Sequence, residues 1–259
     1  MLSDVKKSEK EDVKYTLVIP VFNEAKILQK TIETTHHYLS SKKNSFKLII
    51  ADDGSVDHSS AIVHELQKKY PSLKLVHNEK NQGRGSALTK AFLAAQGEII
   101  LYIDADLAID YHLFDKLEQA LSQGYDIATC SKHLPESRVE YPKMRRAASK
   151  CYSKLVRFLF GLEIRDYQCG FKAFRKEVIQ KILPTVESKG WSWDTEILIR
   201  SYLAGYKIKE IPATVVNVYE RESTVHLLKD SYEMGIYVFR LYFQLHKENK
   251  ERKTKETFI

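Results

Sequence analysis

The three cysteines in this 259-residue chain are too few, too scattered and too odd in number for a disulfide framework. Cys130, Cys151 and Cys169 also lack zinc-site spacing, so a reducing compartment is expected. Long apolar runs are missing as well. No segment reaches the roughly 20 residues that span a bilayer, and the nearest approach, Ile236 to Phe243, is short and carries Arg240. Residues 1–14 are charged rather than apolar, so a flexible lead-in is expected there, not a signal peptide or membrane anchor.

What is present suits one substantial core. The chain is 43% hydrophobic and 29% charged, which is neither a disordered nor a fibrous composition. The expected organisation is a lead-in over 1–14, one domain over 15–225, and an amphipathic helix with a charged tail over 226–259. A formal net charge of +7 favours anionic partners without choosing among nucleic acid, lipid headgroups and phosphorylated metabolites.

Strand and helix signals alternate. Strands are expected at Tyr15–Pro20, Phe46–Ala51, Leu73–His77, Ile99–Ile103 and Asp126–Cys130. Between them, helices are expected from about Glu24 to Leu39, from Asp57 to Tyr70, after Gly85, and through Phe114 to Leu121. This alternation predicts an α/β fold with a mostly parallel central sheet flanked by helices. Such sheets bind ligands at the carboxyl ends of their strands. Pro20 to Glu24, Asp52-Asp53 and Asp104-Ala105-Asp106 all follow strand ends, so the topology gathers them at one edge.

Asp104 and Asp106 are two residues apart. If the extended conformation persists through Ala105, both carboxylates point to one side and their hard oxygens suit Mg²⁺ or Mn²⁺ holding a diphosphate, with small Ala105 leaving room for a ligand. An isolated Asp-x-Asp is as readily an acidic turn, and Asp52-Asp53-Gly54-Ser55 alone is a turn and helix cap. Asn81-Gln82-Gly83-Arg84-Gly85 lacks the spacing of a Walker loop or dinucleotide fingerprint and reads as a tight turn beside the site.

Taken together and in order, Val18 to Glu24, Asp52 to Asp57, Asn81 to Gly85 and Asp104-Ala105-Asp106 resemble the family-two inverting glycosyltransferases, whose nucleotide-sugar fold is termed GT-A. The resemblance implies that Pro20, Phe22 and Glu24 line the nucleotide pocket, that Asp53 accepts a hydrogen bond from the base, and that Asp104 and Asp106 serve metal and diphosphate beside Ala105. Phe22 stands where the family more often has Tyr. Farther on, Arg165 to Arg175, Trp193 to Glu196 and Gly205 to Pro212 resemble the dolichyl-phosphate and polyprenyl-phosphate hexosyltransferase branch. Lys132 stands where that branch usually has Arg, and Arg221 and Ser223 loosely match its phosphate-binding Arg-x-x-Ser-Lys segment, with Thr224 in place of the Lys.

Membership in that branch implies a metal-dependent enzyme that moves a hexose from a nucleotide sugar to dolichyl or polyprenyl phosphate. A UDP-hexose is the favoured donor, with a GDP-hexose possible, and no nucleic acid is expected as a partner. A phosphate acceptor is already anionic, so in-line attack needs alignment and cations more than a base. Lys132, Arg145 or Arg146, and Arg221 are the candidate cations. Asp166 is the preferred acid near the acceptor, as base or positioning group, with Asp194 the weaker alternative. A saccharide or alcohol acceptor, or a non-catalytic nucleotide-sugar-binding scaffold at a membrane, are the competing functions.

The predicted helix from Lys143 to Leu162 carries a basic stripe of Lys143, Arg146, Lys150, Lys154 and Arg157. Beside it runs an apolar stripe of Met144, Ala148, Cys151, Leu155, Phe158 and Leu162. This pattern suits a helix lying on an anionic membrane surface, and equally an ordinary packed surface helix. Leu227 to His246 reads as an aromatic-rich amphipathic helix, suited to a membrane interface, a homo-oligomer contact or docking on the domain. The expected location is cytoplasmic, peripheral on the cytoplasmic face of a membrane.

Overall fold

The computed structural model describes residues 12–139, 143–215 and 227–257, with side chains of the last helix described from residue 229 to 248. Seven strands form one sheet in the order β3-β2-β1-β4-β6-β5-β7. They are β1 (Tyr15–Val21), β2 (Phe46–Asp52), β3 (Leu73–His77), β4 (Ile99–Ile103), β5 (Ile127–Ser131), β6 (Phe171–Arg175) and β7 (Ile208–Pro212). Pairing is parallel except that β6 runs antiparallel between β4 and β5. The helices are α1 (Ala25–Ser41), α2 (Ser59–Lys69), α3 (Arg84–Leu93), α4 (Phe114–Ser122), α5 (Lys143–Phe160), α6 (Lys176–Ile182), α7 (Trp193–Leu203) and α8 (Leu227–Thr257).

The sheet is covered on both faces, which is why β4 and β5 are buried at every position and β1 at all but one. Leu28 and Ile32 of α1, Val63 of α2 and Leu117 of α4 pack on one face with Leu17, Ile19 and Leu101. On the other, Leu88 of α3, Val156 of α5, Ile179 of α6, Ile197 of α7 and Val238 of α8 pack with Val18, Ile49 and Tyr102. Helix α8 is further tied down where the Tyr237 hydroxyl donates to Glu196 of α7 at 2.6 Å.

The sheet holds two strands beyond the five expected, and one expectation about the β4 acids is corrected. β6 and β7 complete the sheet but do not stand out in the sequence, because Lys172, Arg175, Lys209 and Glu210 interrupt their apolar patterns. The extended conformation also does not persist through Ala105. β4 ends at Ile103, the Leu107 N–H donates to the Asp104 carbonyl at 3.0 Å, and Leu107 takes φ 47°, so the two acids sit on a turn. The pairing explains it. β1 accompanies β4 only to Val18↔Tyr102, and the Asp104 N–H goes instead to the Gly170 carbonyl at 3.0 Å.

Candidate active site

The carboxyl ends of β1, β2 and β4 meet as their parallel registers require. Pro20 pairs with Ala51, and continuing Val18↔Tyr102 by two residues brings Asp104 level with Pro20. The loops after β1 and β2 are sewn together. Asn23 N–H donates to Ser55 Oγ and Asn23 Oδ1 accepts from Val56 N–H, both at 2.9 Å, while Ala25 N–H donates to Asp57 Oδ2 at 3.0 Å. Asn23 supports this with φ 56°, a left-handed conformation that asparagine tolerates. Phe22 is left 37% exposed on this wall, and Pro20 and Glu24 are half-buried beside it.

Asp52 and Asp53 do different work. Asp52 accepts from Ser55 N–H, the Ser55 and Ser60 hydroxyls and His77, and although burial pushes its carboxyl up, these hydrogen bonds hold it below the usual range. Asp53 is 3% exposed and accepts from Asn78 Nδ2 at 3.0 Å and from the backbone N–H groups of Gln82 and Gly83 at 3.0 and 2.8 Å. Its carboxylate therefore anchors the turn before α3, with three of about four acceptor positions engaged. Gly54 lets that turn close, since a Cβ there would lie 2.4 Å from the Lys80 carbonyl carbon.

Arg84, the first residue of α3, joins the acids in a way sequence spacing does not reveal. One guanidinium nitrogen donates to Asp104 Oδ1 at 2.8 Å and the other to Asp194 Oδ2 at 2.6 Å. The guanidinium carbon lies 5.2 Å from the Tyr102 ring centroid and 5.6 Å from that of Trp191. Behind it, Asp194 also receives the Tyr102 hydroxyl and the Lys172 ammonium, the latter at 3.0 Å. Lys172 is fully buried and donates to Tyr102 and to the Cys169 carbonyl as well. Asp194 is thus the centre of a buried ionic network, which leaves no free face for it to act as a base.

Burial disfavours both charges at that centre, raising the Asp194 carboxyl and pulling Lys172 from 10.5 down to about 8. For a lysine shifted downward, the unfolded chain holds more protons than the folded one between about pH 8 and 10.5, so this group's contribution to stability rises with pH across that window. Lys172→Met removes it. Urea midpoints at pH 7.5 and 9.5 should show the wild type gaining on the variant at the higher pH, and parallel shifts would contradict the assignment.

Between the β4 acids and β5 lies the segment that enters β6. Gly170 is there because a Cβ would fall 1.8 Å from Asp104 Oδ2. Four residues earlier, Asp166 is fully buried and accepts from Lys132 N–H at 2.8 Å and Gln168 N–H at 3.0 Å. Its own N–H and that of Arg165 donate to Glu210 of β7. Burial pushes the Asp166 carboxyl up, but nearby Lys132 and His133 and the Lys132 N–H outweigh it and hold the group below its ordinary value. Of the two roles expected for Asp166, base or positioning group, an anionic carboxylate with both oxygens engaged and no exposure favours holding the Lys132 backbone in place. β4 and β5 are separated by one strand, so the two corners are about 10 Å apart.

Asp104 and Asp106 are both partly exposed, and Asp106 Oδ1 accepts from Ala108 N–H at 3.1 Å. Ala105 is buried, its carbonyl held by the Thr31 hydroxyl at 2.7 Å. Among the described residues no group of three or more His, Cys, Asp or Glu can hold a metal ion. Two carboxylates completed by phosphate oxygens are nonetheless a sufficient set for Mg²⁺ or Mn²⁺, so the donor atoms fit. Arg145 and Arg146 are exposed on the first turn of α5. Arg221, Ser223 and Thr224 lie outside the described residues.

The strand-end acids, loop wall and exposed aromatic gather at one edge of an open, mostly parallel sheet, the GT-A arrangement, where such folds bind their ligands. Glucosyl-3-phosphoglycerate synthase from Mycobacterium tuberculosis, solved with uridine diphosphate, shares that fold with a TM-score of 0.66 over 90% of this chain and 79% of its own, at 18% identity. The sequence model of Glycosyl transferase family 2 matches residues 16–183, and the chain belongs to that family. Glycosyltransferase AglD of Haloferax volcanii is 35% identical over 236 residues, covering 90% of this chain and 38% of that protein. Dolichyl-phosphate beta-glucosyltransferase ALG5A of Trichomonas vaginalis is 31% identical, covering 76% and 64%. The human dolichyl-phosphate beta-glucosyltransferase is 30% identical, covering 81% and 68%. The chain thus spans less than two thirds of the length of the first two relatives.

Proposed function

We propose that this protein is an inverting glycosyltransferase that moves a hexose from a nucleotide sugar to dolichyl or polyprenyl phosphate. The observation that carries this reading is Asp166. At the acceptor end the acid is buried and clamped, and what it fixes in place is the backbone of Lys132. An end that offers a cation suits an acceptor phosphate that ionises near neutral pH and attacks without being deprotonated, whereas an alcohol acceptor needs a base. The named relatives support the same acceptor class.

On the donor side, Phe22 packs against the base or ribose along the wall with Pro20 and Glu24, and Asp53 holds the loop that closes the pocket. UDP-glucose is the first donor to test, matching the beta-glucosyltransferase relatives and the uridine diphosphate bound in the mycobacterial neighbour. Asp104 and Asp106 would hold Mg²⁺ or Mn²⁺, which when bound neutralises charge on the leaving diphosphate. Arg84 keeps Asp104 oriented. Lys132 lies across the crevice, placed to hold the acceptor phosphate opposite the diphosphate, so displacement at the anomeric carbon is in-line and gives a β-linked product from an α-linked donor. Arg145, Arg146 and Arg221 are further cations for that phosphate. The workplace is the cytoplasmic face of a membrane.

Two substitutions test these roles. Gly170→Ala drives a Cβ into the Asp104 carboxylate, so Mn²⁺ affinity, read by electron paramagnetic resonance, should fall roughly 10–100-fold; unchanged affinity would remove Asp104 from the metal set. Asp166→Asn should cost about 10–100-fold in kcat/KM for the lipid phosphate by loosening Lys132. The shape of the pH profile should stay the same. Loss of its acidic limb would reinstate Asp166 as a base, and near-normal turnover would remove it from the site.

A further inference from the structure

Helix α5 carries Lys143, Arg145, Arg146, Lys150, Lys154 and Arg157 and no acidic residue. Its outward side is not only basic. Met144 is 73% exposed and Phe158 is 86% exposed, with Cys151 exposed between them at helical spacing. Those two apolar ends are about 21 Å apart along the axis. Beside α5, helix α8 buries Val238, Leu241 and Leu245 and turns Tyr232, Phe239 and Phe243 outward, the last 68% exposed. That second stripe also repeats at helical spacing.

The two stripes belong to one side of the molecule. Both helices pack on the same cluster over the same sheet face. They meet where Phe160 contacts Tyr242 edge-on at 5.7 Å, and Tyr242 contacts Phe243 at 5.6 Å. The near end of α5 reaches the acceptor corner, where Ser149 Oγ lies 3.3 Å from Nε2 of His133, the neighbour of Lys132. Among the described residues no helix is long and apolar enough to cross a membrane.

We infer that the outward face of α5 and α8 docks on an anionic lipid bilayer, with the cations in the headgroup layer and Met144, Phe158 and Phe243 entering the acyl boundary. Charge selects this occupant, because a row of cations on a helix without acidic residues, flanked by exposed apolar side chains, complements a surface that is negative above and apolar below. The two apolar ends of α5 need a partner that is continuous over their whole separation. The inference rests on the proposed lipid-phosphate acceptor and deepens it, since docking through α5 brings the membrane plane to the side of the crevice where Lys132 sits.

The test is sedimentation of the full chain with vesicles of phosphatidylcholine alone and with phosphatidylglycerol added. Binding should require the anionic lipid and weaken with salt. Lys150→Gln with Lys154→Gln should lower affinity about 10-fold or more, and Phe158→Ser with Phe243→Ser by a similar factor. Hexose transfer to a short, water-soluble prenyl phosphate, measured without vesicles, should be unchanged in both variants. Vesicle binding equal to wild type in both variants overturns the docking face while leaving the transfer reading intact. So does a shift of molecular mass in solution by the Phe variant with vesicle binding unaltered, which would make the stripe a contact between protein chains. Loss of soluble transfer in the wild type, with docking preserved, would instead overturn the function.

Discussion

Asp106→Ala is expected to lose metal-dependent hexose transfer by about 10³-fold or more, with the fold intact. The carboxylate is partly exposed on the turn after β4, where it accepts from the N–H of Ala108 within the same turn. Little of the core depends on it. What does depend on it is neutralisation of the departing diphosphate, where a ligand-held cation supplies several kcal/mol, and each 1.36 kcal/mol is a factor of ten. Transfer assayed across a Mn²⁺ titration, with circular dichroism as the fold control, separates the two effects. Full activity in this variant would remove the β4 turn from the reaction. Asp104→Ala is a less clean experiment, because it also releases Arg84 from one of its two carboxylates.

Asp194→Ala should have the opposite profile, a large loss of stability. Its removal leaves the Lys172 ammonium fully buried with, among the described residues, the Tyr102 hydroxyl and the Cys169 carbonyl as its remaining hydrogen-bond partners, while Arg84 retains Asp104. Breaking a buried ion pair by deleting one member costs about 3–5 kcal/mol, because the remaining charge is uncompensated. Urea unfolding should show the loss directly. Replacing Lys172 by Met in the same chain should return part of it, since the stranded charge is then gone. If Asp194→Ala instead unfolds like wild type but is inactive, Asp194 acts on substrate and the network reading is wrong.

The halves of the chain differed in how legible they were. Through β5, most strands are rich in β-branched and other apolar residues and each intervening helix has its own stripe, so local pattern and tertiary packing agree and boundaries fell within a few residues. Beyond α5 they part. Helix α7 is buried on every side from Trp193 to Ser201, which erases amphipathic periodicity. β6 hides Lys172 in its middle because the charge is matched by Asp194 from another element. Arg84 was visible as a charge near a glycine turn, but its bridging of Asp104 and Asp194 spans 20 and 110 residues of sequence, a pairing that only the folded chain creates. The same holds for Asp166, whose burial and grip on Lys132 depend on Glu210 of an edge strand.

The most direct measurement of the central claim is to offer the protein UDP-glucose, other UDP-hexoses and GDP-mannose with polyprenyl phosphate and Mn²⁺, and to weigh the product. The account predicts a species that extracts into organic solvent, has the mass of the polyprenyl phosphate plus one hexosyl residue, and releases the sugar under mild acid. Sugar delivered to a saccharide or other alcohol with none on the lipid phosphate, or no turnover of any donor, would contradict it.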